Sequence, residues 1–458
     1  MLKEIDLTQG DILKTLFRFS LPVIAALFLQ AMYGAVDLII VGHFATTADV
    51  SGAATGSMLV HTITMVFAGL SMGLTILVGE AIGRKNRYEA GQIIFSGAVL
   101  FGLISLLFTA IYFFYSTQLA NLMQAPPEAL AQTSRYIFIC GLGTVFIVAY
   151  NALSSVLRGL GDADTPLMTV AVACVINIGA DLVLVAVMGW GAAGAALATV
   201  FSQAISVIIT LAVMSRRKLP FDFSETGRQF KSAFAKKILI LGTPIALQDI
   251  LVGISFLVIQ AVVNSMGVNQ SAAVGIGEKI SHFLMLLGVA CLQSLSAFTA
   301  QNMGADQPTR AVEALWTAAR YSFRIGLFLG LISFFFGDYL ARIFASDPVV
   351  IAHTHLYLRA YAFDCFIMPP LFCFLGYFNG LEKTNFVMMQ GVVGAFIVRL
   401  PLVLFISNFK GANLFHIGLS TPCASAIQAG LALMYYFYIR EMDRYKEGSA
   451  LTPDQYQV

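Results

Sequence analysis

Long runs of apolar residues alternate along the chain with short polar or glycine- and proline-containing breaks. A helix of about 20 mostly apolar residues crosses the hydrocarbon core of a bilayer. Twelve runs are long enough, so the pattern predicts an all-α integral membrane protein with twelve transmembrane helices. The predicted spans are 14–42, 51–81, 90–116, 128–156, 164–188, 191–214, 233–264, 271–302, 311–337, 350–377, 385–408 and 413–438.

Composition supports the membrane class. Of 458 residues, 58% are hydrophobic and 11% are charged, whereas soluble proteins average about 45–50% and about 25%. This excludes a soluble globular protein. The net charge of +2 leaves no large basic field for nucleic acid. The six cysteines form no CxxC pair, so we expect buried thiols and no disulfides or metal site.

The basic residues are distributed unevenly between the predicted loops. The positive-inside rule places loops rich in Lys and Arg in the cytoplasm. Both termini and the linker between spans 6 and 7 are therefore predicted to be cytoplasmic, although Arg342 and Lys410 break the pattern. The N-terminal residues lack the apolar segment of a signal peptide, so we expect no cleavage there. Basic residues on that side include Arg84, Lys85, Arg87, Arg158, Arg216, Arg217, Lys218, Arg228, Lys231, Lys236, Lys237, Arg310, Lys383, Arg440, Arg444 and Lys446.

The two halves of the sequence resemble each other. Sliding one along the other by a single constant offset places Gly83 on Gly304 and Tyr136 on Tyr357, and an offset one residue longer places Pro22 on Pro244. An offset of six spans keeps both halves in the same orientation, which predicts two six-helix bundles related by a pseudo-two-fold axis along the membrane normal. Such parallel repeats are typical of secondary transporters. The predicted domains are an N-lobe at 1–215, a linker at 216–237, a C-lobe at 238–440 and a cytoplasmic tail at 441–458.

Several short motifs carry a family resemblance. Residues 20–22 read Ser-Leu-Pro, residues 41–43 read Val-Gly-His, and residues 158–161 read Arg-Gly-Leu-Gly. With Val36-Asp37 and the helix ending at 81–83, Ala-Ile-Gly, they resemble the multidrug and toxic compound extrusion (MATE) family. The resemblance covers all twelve spans. It implies two six-helix bundles forming a V-shaped cleft, and efflux of amphipathic, usually cationic compounds in exchange for protons or sodium ions.

Two aspartates lie inside the spans of the first half. Ionisable residues there cost about 2.5–3.5 kcal/mol on insertion scales and are usually functional. Asp37 and Asp181 fall at a common depth, about 10 Å from the outer helix ends. Two carboxylates at close range in a low dielectric cannot both stay ionised without a cation, so the pair is predicted to hold a proton or a sodium ion. Alternatively, each aspartate could cross-link helices through a hydrogen bond worth about 0.6 kcal/mol.

Neighbouring polar residues extend this candidate site. Asn177 lies one helical turn before Asp181, and Thr199 reaches a similar depth in span 6. In several prokaryotic MATE proteins the ion site resembles this set, with a further asparagine that Asn151 matches. Gln30 and Tyr33 continue the face of Asp37 along span 1 and are candidates for the substrate cavity.

The second half carries a different set of charges. The positions equivalent to Asp37 and Asp181 are close to Ile259 and Leu402, which are uncharged. Arg399 is expected to find a carboxylate, and Glu278 and Asp364 are the candidates. The set lines the substrate cavity in one interpretation and forms an internally neutralised structural network in the other. It comprises Asp249, Glu278, His282, Asp364 and Arg399.

Three other functional classes compete with coupled efflux. A passive channel is the first, but the paired protonatable carboxylates favour coupled transport. A flippase for lipid-linked oligosaccharide or peptidoglycan precursors would share the architecture, but a pyrophosphate ligand favours basic residues where the first half has aspartates. An enzyme is not expected, because the sequence has no HExxH or DDxxD motif and no GxSxG at a strand-to-helix turn. We expect no cofactor, no prosthetic metal and no nucleic-acid partner. We expect a monomer in the bacterial inner membrane, with the bilayer and small amphipathic molecules as its partners.

Overall fold

The computed structural model describes residues 5–217, 220–221, 227–409, 411 and 413–450, with side chains described as far as Met442. These residues form helices joined by short connections, without any strand. Parts of the predicted linker and of the predicted tail lie outside the described residues, as does Lys410. The predicted all-α class is confirmed for the described part of the chain.

The described residues up to 215 contain seven α-helices and one π-helical segment. The α-helices are α1 (Ile12–Phe44), α2 (Thr47–Gly83), α3 (Arg87–Leu122), α4 (Leu130–Leu142), α5 (Thr144–Gly159), α6 (Asp164–Asp181) and α7 (Gly191–Ser215). The π-helical segment, Leu182–Val187, follows α6 directly.

The described residues from 232 onwards contain eight α-helices and a second π-helical segment. The α-helices are α8 (Ser232–Asn264), α9 (Val268–Gly304), α10 (Pro308–Arg342), α11 (Pro348–Gly380), α12 (Thr384–Val392), α13 (Leu400–Ser407), α14 (Leu414–Gly418) and α15 (Ser420–Ala450). The π-helical segment, Val393–Arg399, joins α12 to α13.

Twelve membrane spans account for these helices. In the part of the chain that the structure describes, eleven are long and apolar enough to cross a bilayer, and α4 with α5 form a twelfth that is bent by 53°. The predicted number of spans is therefore confirmed. The bend lies at Gly143, where an added Cβ would come within 2.3 Å of a Val200 methyl group on α7. A glycine at this point lets α7 approach the break.

Backbone irregularities recur at the spacing of the predicted repeat. The kinks in α3 and α10, at Tyr115 and Phe336, are separated by the same offset that places Gly83 on Gly304. That offset also relates the first and last residues of α2 to those of α9. Residues with a left-handed backbone conformation follow the same spacing: Lys85 corresponds to Asp306, and Gly161 corresponds to Glu382. Because turns and kinks are local responses to sequence, their recurrence supports a duplicated six-span unit.

Internal contacts divide the chain into two compact units. The first contains residues 1–250, 289–318 and 376–388, and the second contains 251–288, 319–375 and 389–458. These boundaries fall inside helices α8 to α12 and do not follow the predicted lobes at 1–215 and 238–440. The lobes remain a prediction about which residues move together.

Within the first unit, the ends of α2 and α9 cross closely. A Cβ on Gly83 would lie 2.0 Å from the Gln301 carbonyl oxygen, and a Cβ on Gly304 would lie 2.1 Å from the Glu80 carbonyl oxygen. Both contacts are with backbone atoms, so neither can be relieved by a side-chain rotation. The four residues are related by the sequence repeat, and the contact requires glycine on both helices.

The N-terminal segment reinforces this crossing. Leu7 is fully buried, and Gln301 accepts a hydrogen bond from its amide at 3.3 Å. Asn302 donates to the Leu7 carbonyl at 3.1 Å, and Ile5 donates to the Gly161 carbonyl at 3.1 Å. Residues 5–7 therefore link the turn after α5 to the end of α9.

A charge cluster lies at the same helix ends. Lys237 on α8 pairs with Glu382 at 2.5 Å and lies 3.9 Å from Glu80, which also pairs with Arg84. Burial raises the pKa of Glu382, and Lys237 opposes that shift. The cluster joins α2, α8 and the turn between α11 and α12.

Candidate functional site

The two aspartates of the predicted ion site lie on helices that pack together. α1 contacts both α6 and the π-helical segment after it. Asp37 lies seven residues before the end of α1, and Asp181 is the last residue of α6. Their side chains are 5% and 0% exposed and lie within hydrogen-bonding reach of each other. π-helical turns are often found at functional sites, and this one begins directly after Asp181.

The protein leaves this carboxyl pair without enough donors. Among the described residues, Asp37 Oδ1 and both carboxylate oxygens of Asp181 have no hydrogen-bond partner. In the same part of the chain, no basic side chain lies within 4.0 Å of either group. Two buried charges of one sign repel strongly, and an unsatisfied buried charge is costly. A shared proton or a bound cation would remove the repulsion and reduce the buried charge.

Asn177 adds unsatisfied polar atoms beside the pair. It is 1% exposed and lies one helical turn before Asp181 on α6. Neither its side-chain oxygen nor its nitrogen has a hydrogen-bond partner among the described residues. Hard cations prefer carboxylate and amide oxygens as ligands. Asn177 therefore suits the predicted cation site.

Thr199 and Asn151 differ in their relation to the pair. Thr199 is half-buried on α7, with its side chain in hydrogen-bonding reach of Tyr136. Asn151 donates its amide at 2.9 Å to the carbonyl of Ile147 in its own helix. No described contact links Asn151 to the aspartates, so its place in the site remains a prediction.

Tyr136 is a member of the site that sequence reasoning missed. It lies on α4, is 3% exposed, and interacts electrostatically with Asp37 as well as with Thr199. A Cβ on Gly56 would come within 2.7 Å of its ring, so α2 packs directly against it. The sequence signal that could have identified Tyr136 is its alignment with Tyr357, whose hydroxyl donates a hydrogen bond to Glu278 in the second half. Both members of this repeated pair lie beside an acidic residue.

Gln30 and Tyr33 line a partly open pocket in the first unit. Its empty volume is about 260 Å³, and Tyr150 and Gln203 also lie in the wall. Gln30 donates to the Tyr150 hydroxyl at 3.1 Å, and Gln203 donates to the Tyr33 hydroxyl at 3.5 Å. Because Tyr33 also interacts electrostatically with Asp37, the pocket adjoins the carboxyl pair.

Comparison with known proteins shows the family. The family model MatE matches two segments of equal length, residues 22–183 and residues 244–405, one in each half of the repeat. The chain belongs to the MATE family. Two Bacillus subtilis relatives are described as probable multidrug resistance proteins, YpnP and YoeA. They are 28% and 24% identical to it over 96% and 94% of this chain and 98% and 95% of theirs. The crystal structure of MATE in complex with MaL6 has the same fold, with a TM-score of 0.91 at 19% identity over 97% of this chain and 100% of that one.

The second half of this MATE protein holds Arg399 without the ion pair predicted for it. Arg399 is 2% exposed, donates to the Ser255 hydroxyl at 3.1 Å, and stacks 4.5 Å from the centre of the Phe256 ring. No carboxylate lies within 4.0 Å of it in the described part of the chain. The prediction of a direct pair was wrong because α8 supplies a hydroxyl and a ring that hold the guanidinium. Glu278 and Asp364 still stabilise it electrostatically at longer range.

The remaining second-half candidates, Asp364, His282 and Asp249, differ in burial. Asp364 is 1% exposed, and both its oxygens lack a partner among the described residues. The Ser425 hydroxyl lies within hydrogen-bonding reach of Asp364 but donates to the Thr421 carbonyl at 3.1 Å. His282 and Asp249 have exposed side chains. Electrostatic interactions group Glu278, Asp364 and Arg399, and the place of His282 and Asp249 in a substrate cavity remains a prediction.

A GxSxG sequence, Gly69 to Gly73, does occur in this MATE protein. It lies inside α2, and Ser71 at its centre is fully buried. A nucleophile elbow needs a sharp strand-to-helix turn that exposes the serine. The sequence is therefore not a hydrolase motif here.

We expect Arg399→Gln to destabilise the transporter. The substitution removes the positive charge near two buried carboxylates and the stacking on Phe256, and uncompensated buried charge costs about 3–5 kcal/mol. The unfolding temperature of this variant in detergent should be markedly lower than that of the wild type. Arg359→Gln is the matched control, because Arg359 stacks 4.6 Å from the Phe334 ring centre but is exposed. Equal unfolding temperatures for the two variants would contradict this role of Arg399.

Proposed function

We propose that this MATE transporter is a secondary active antiporter that exports amphipathic, cationic compounds in exchange for protons or sodium ions. The observation that carries the proposal is the buried Asp37–Asp181 pair, three of whose four carboxylate oxygens lack donors among the described residues. A pair of this kind is stable only with a proton or a cation bound. Multidrug relatives from the same family support the export of drug-like molecules.

The pair can couple the two fluxes in a simple way. With a proton or a sodium ion bound, the pair carries one negative charge instead of two, and the repulsion between the carboxylates is removed. When the ion leaves, repulsion between the carboxylates favours a solvated arrangement of α1 against α6. The pocket wall at Gln30, Tyr33 and Tyr150 adjoins this region and would accept an amphipathic cation. Ion binding and substrate binding would then favour different conformations.

Alternating access requires contacts that can open at one membrane face. The crossing of α2 and α9 and the segment at residues 5–7 join the first six spans to the start of the second six. We propose that these contacts close the cytoplasmic face and separate when the substrate enters from the cell. We also propose that both termini are cytoplasmic, that the bacterial cell membrane is the location, and that the monomer is the transporting unit.

The flippase alternative receives no support from the geometry of the first half. A pyrophosphate ligand needs cations in its cavity, whereas the wall of the pocket at Gln30 and Tyr33 has amide, hydroxyl and apolar side chains. The buried carboxyl pair beside the pocket would repel a pyrophosphate. The family match also favours the multidrug assignment.

The purified protein in liposomes tests the proposal. We expect export of the lipophilic cation ethidium against its gradient when a pH gradient or a sodium gradient is imposed, and no uphill export without one. Imposing the two gradients separately, with nigericin or monensin to collapse them, identifies the coupling ion. Equal flux with and without a gradient would indicate a passive channel. Transport of a lipid-linked pyrophosphate alone would support a flippase.

A further inference from the structure

The uncharged stretch of α10 is shorter than the hydrocarbon core of a bilayer. The uncharged stretch between Arg324 and Asp338 extends only about 20 Å along a helix. A bilayer core is about 30 Å thick. The equivalent helix α3 has no charged residue from Ala90 to its end at Leu122. The second half therefore places charge at a depth where the first half has none.

Arg320 and Arg324 belong to an exposed stripe on α10. With Phe328, Leu331 and Phe335 they follow a spacing of three and four residues, which puts all five on one helix face. The two arginines are exposed, and the three apolar side chains are 63%, 48% and 61% exposed. A face with this apolar exposure in a membrane span contacts lipid. At the equivalent positions, α3 carries Val99 and Leu103.

The described part of the protein offers these arginines no counter-ion. None of its ion pairs includes Arg320 or Arg324. Glu313 lies two helical turns before Arg320, and Asp338 lies about four turns after Arg324, next to Arg342. On the neighbouring helix α11, Asp364 is 1% exposed. Arg324 instead stacks 5.4 Å from the centre of the Tyr321 ring.

Lipid chemistry can supply the missing anion. Arginines near the end of a span extend toward the headgroup region and keep their apolar stems along the helix. A phosphate diester accepts two parallel hydrogen bonds from a guanidinium, which a water molecule cannot match. Two arginines one turn apart, one at the membrane edge and one below it, can hold a single phosphate between them. The apolar stripe below them continues in the direction in which an acyl chain would run.

We propose that Arg320 and Arg324 bind the headgroup of an anionic phospholipid of the cytoplasmic leaflet, with its acyl chain along Phe328 and Leu331. The leaflet follows from the basic loops, which place the start of α10 in the cytoplasm. The site does not depend on the ion-coupling proposal, since none of its residues belongs to the aspartate pair.

Native mass spectrometry with competing lipids tests the site. The wild-type protein, equilibrated with equal amounts of phosphatidylglycerol and phosphatidylcholine, should retain phosphatidylglycerol with a preference on the order of tenfold. In R320Q/R324Q the preference should fall close to one. K85Q/R87Q is the matched control, because it removes two exposed charges at the start of the equivalent helix α3. This control should keep the wild-type preference.

Further measurements separate the outcomes. Unchanged thermal unfolding of R320Q/R324Q would show that the variant folds, and R320K/R324K should retain part of the preference because it keeps the charge. Inorganic phosphate at millimolar concentration should not displace the lipid, because it has no acyl chain to bind the stripe. Equal phosphatidylglycerol retention by the wild type and R320Q/R324Q would overturn the proposal, as would displacement by phosphate alone.

Discussion

Asp37→Asn and Asp181→Asn are each expected to reduce ion-coupled export to background while the protein still folds and inserts. Asparagine keeps nearly the volume of aspartate and can hydrogen-bond its neighbour, but it cannot exchange a proton or supply a negative charge. In the wild type, Asp37 and Asp181 lie within reach of each other with no basic partner in the described residues. Ethidium export in liposomes under an imposed ion gradient, at matched protein content, measures the effect.

Asp338→Asn is a suitable control for the aspartate variants. Asp338 is a part-exposed carboxylate near the end of α10, 3.9 Å from Arg342, so its loss should leave export close to wild type. If the two first-half aspartates only cross-link helices, the bond at stake averages about 0.6 kcal/mol and asparagine would largely keep it. Wild-type coupled export in both Asp→Asn variants would therefore contradict the ion-site assignment.

Gly304→Val is expected to stop transport by separating the ends of α2 and α9. Any Cβ at Gly304 would lie 2.1 Å from the Glu80 carbonyl oxygen, so the two backbones must move apart. Overpacking of this kind costs about 1–3 kcal/mol, which shifts a two-state equilibrium by about 5–150-fold. The state open at this end should accumulate. Labelling by a membrane-impermeant maleimide of a cysteine placed at Ser296 on α9, which is fully buried, should become faster.

Gly102→Val provides the matched control for the helix crossing. A Cβ at Gly102 on α3 would meet nothing within 4 Å, so the same substitution should leave transport and labelling unchanged. Gly83→Val should behave like Gly304→Val, because its Cβ would lie 2.0 Å from the Gln301 carbonyl oxygen. Normal transport by Gly304→Val at wild-type expression would show that the crossing does not need to close.

The long apolar runs predicted the membrane spans well, because a span needs mostly apolar side chains over about 20 residues. The number of spans and the repeat follow from such long-range patterns, and the structure agrees with both. The breaks inside spans could not be predicted in the same way. The bend at Gly143 depends on how close Val200 comes, and the π-helical segments at 182–187 and 393–399 leave no signature in hydropathy.

The site could be predicted in part. Asp37, Asp181 and Asn177 were accessible because a charge or an amide in an apolar run is rare. Tyr136 was not, since a tyrosine is common in such runs and its role depends on its contact with Thr199. The environment of Arg399 was also inaccessible, because a serine and a phenylalanine on α8 hold it where a carboxylate was expected. Contacts between distant segments, such as Leu7 with Gln301, require the fold itself.

Simultaneous measurement of ion flux and substrate flux in the same liposomes shows whether export is coupled to an ion. An internal pH dye or a sodium-sensitive dye would report the coupling ion while ethidium fluorescence reports export. We expect opposite fluxes in a fixed ratio for the wild type, and neither uphill export nor substrate-dependent ion movement for Asp181→Asn. Export by the wild type without any counter-flux of protons or sodium ions would rule out ion-coupled antiport, and an unchanged flux ratio in Asp181→Asn would rule out the role of this carboxylate.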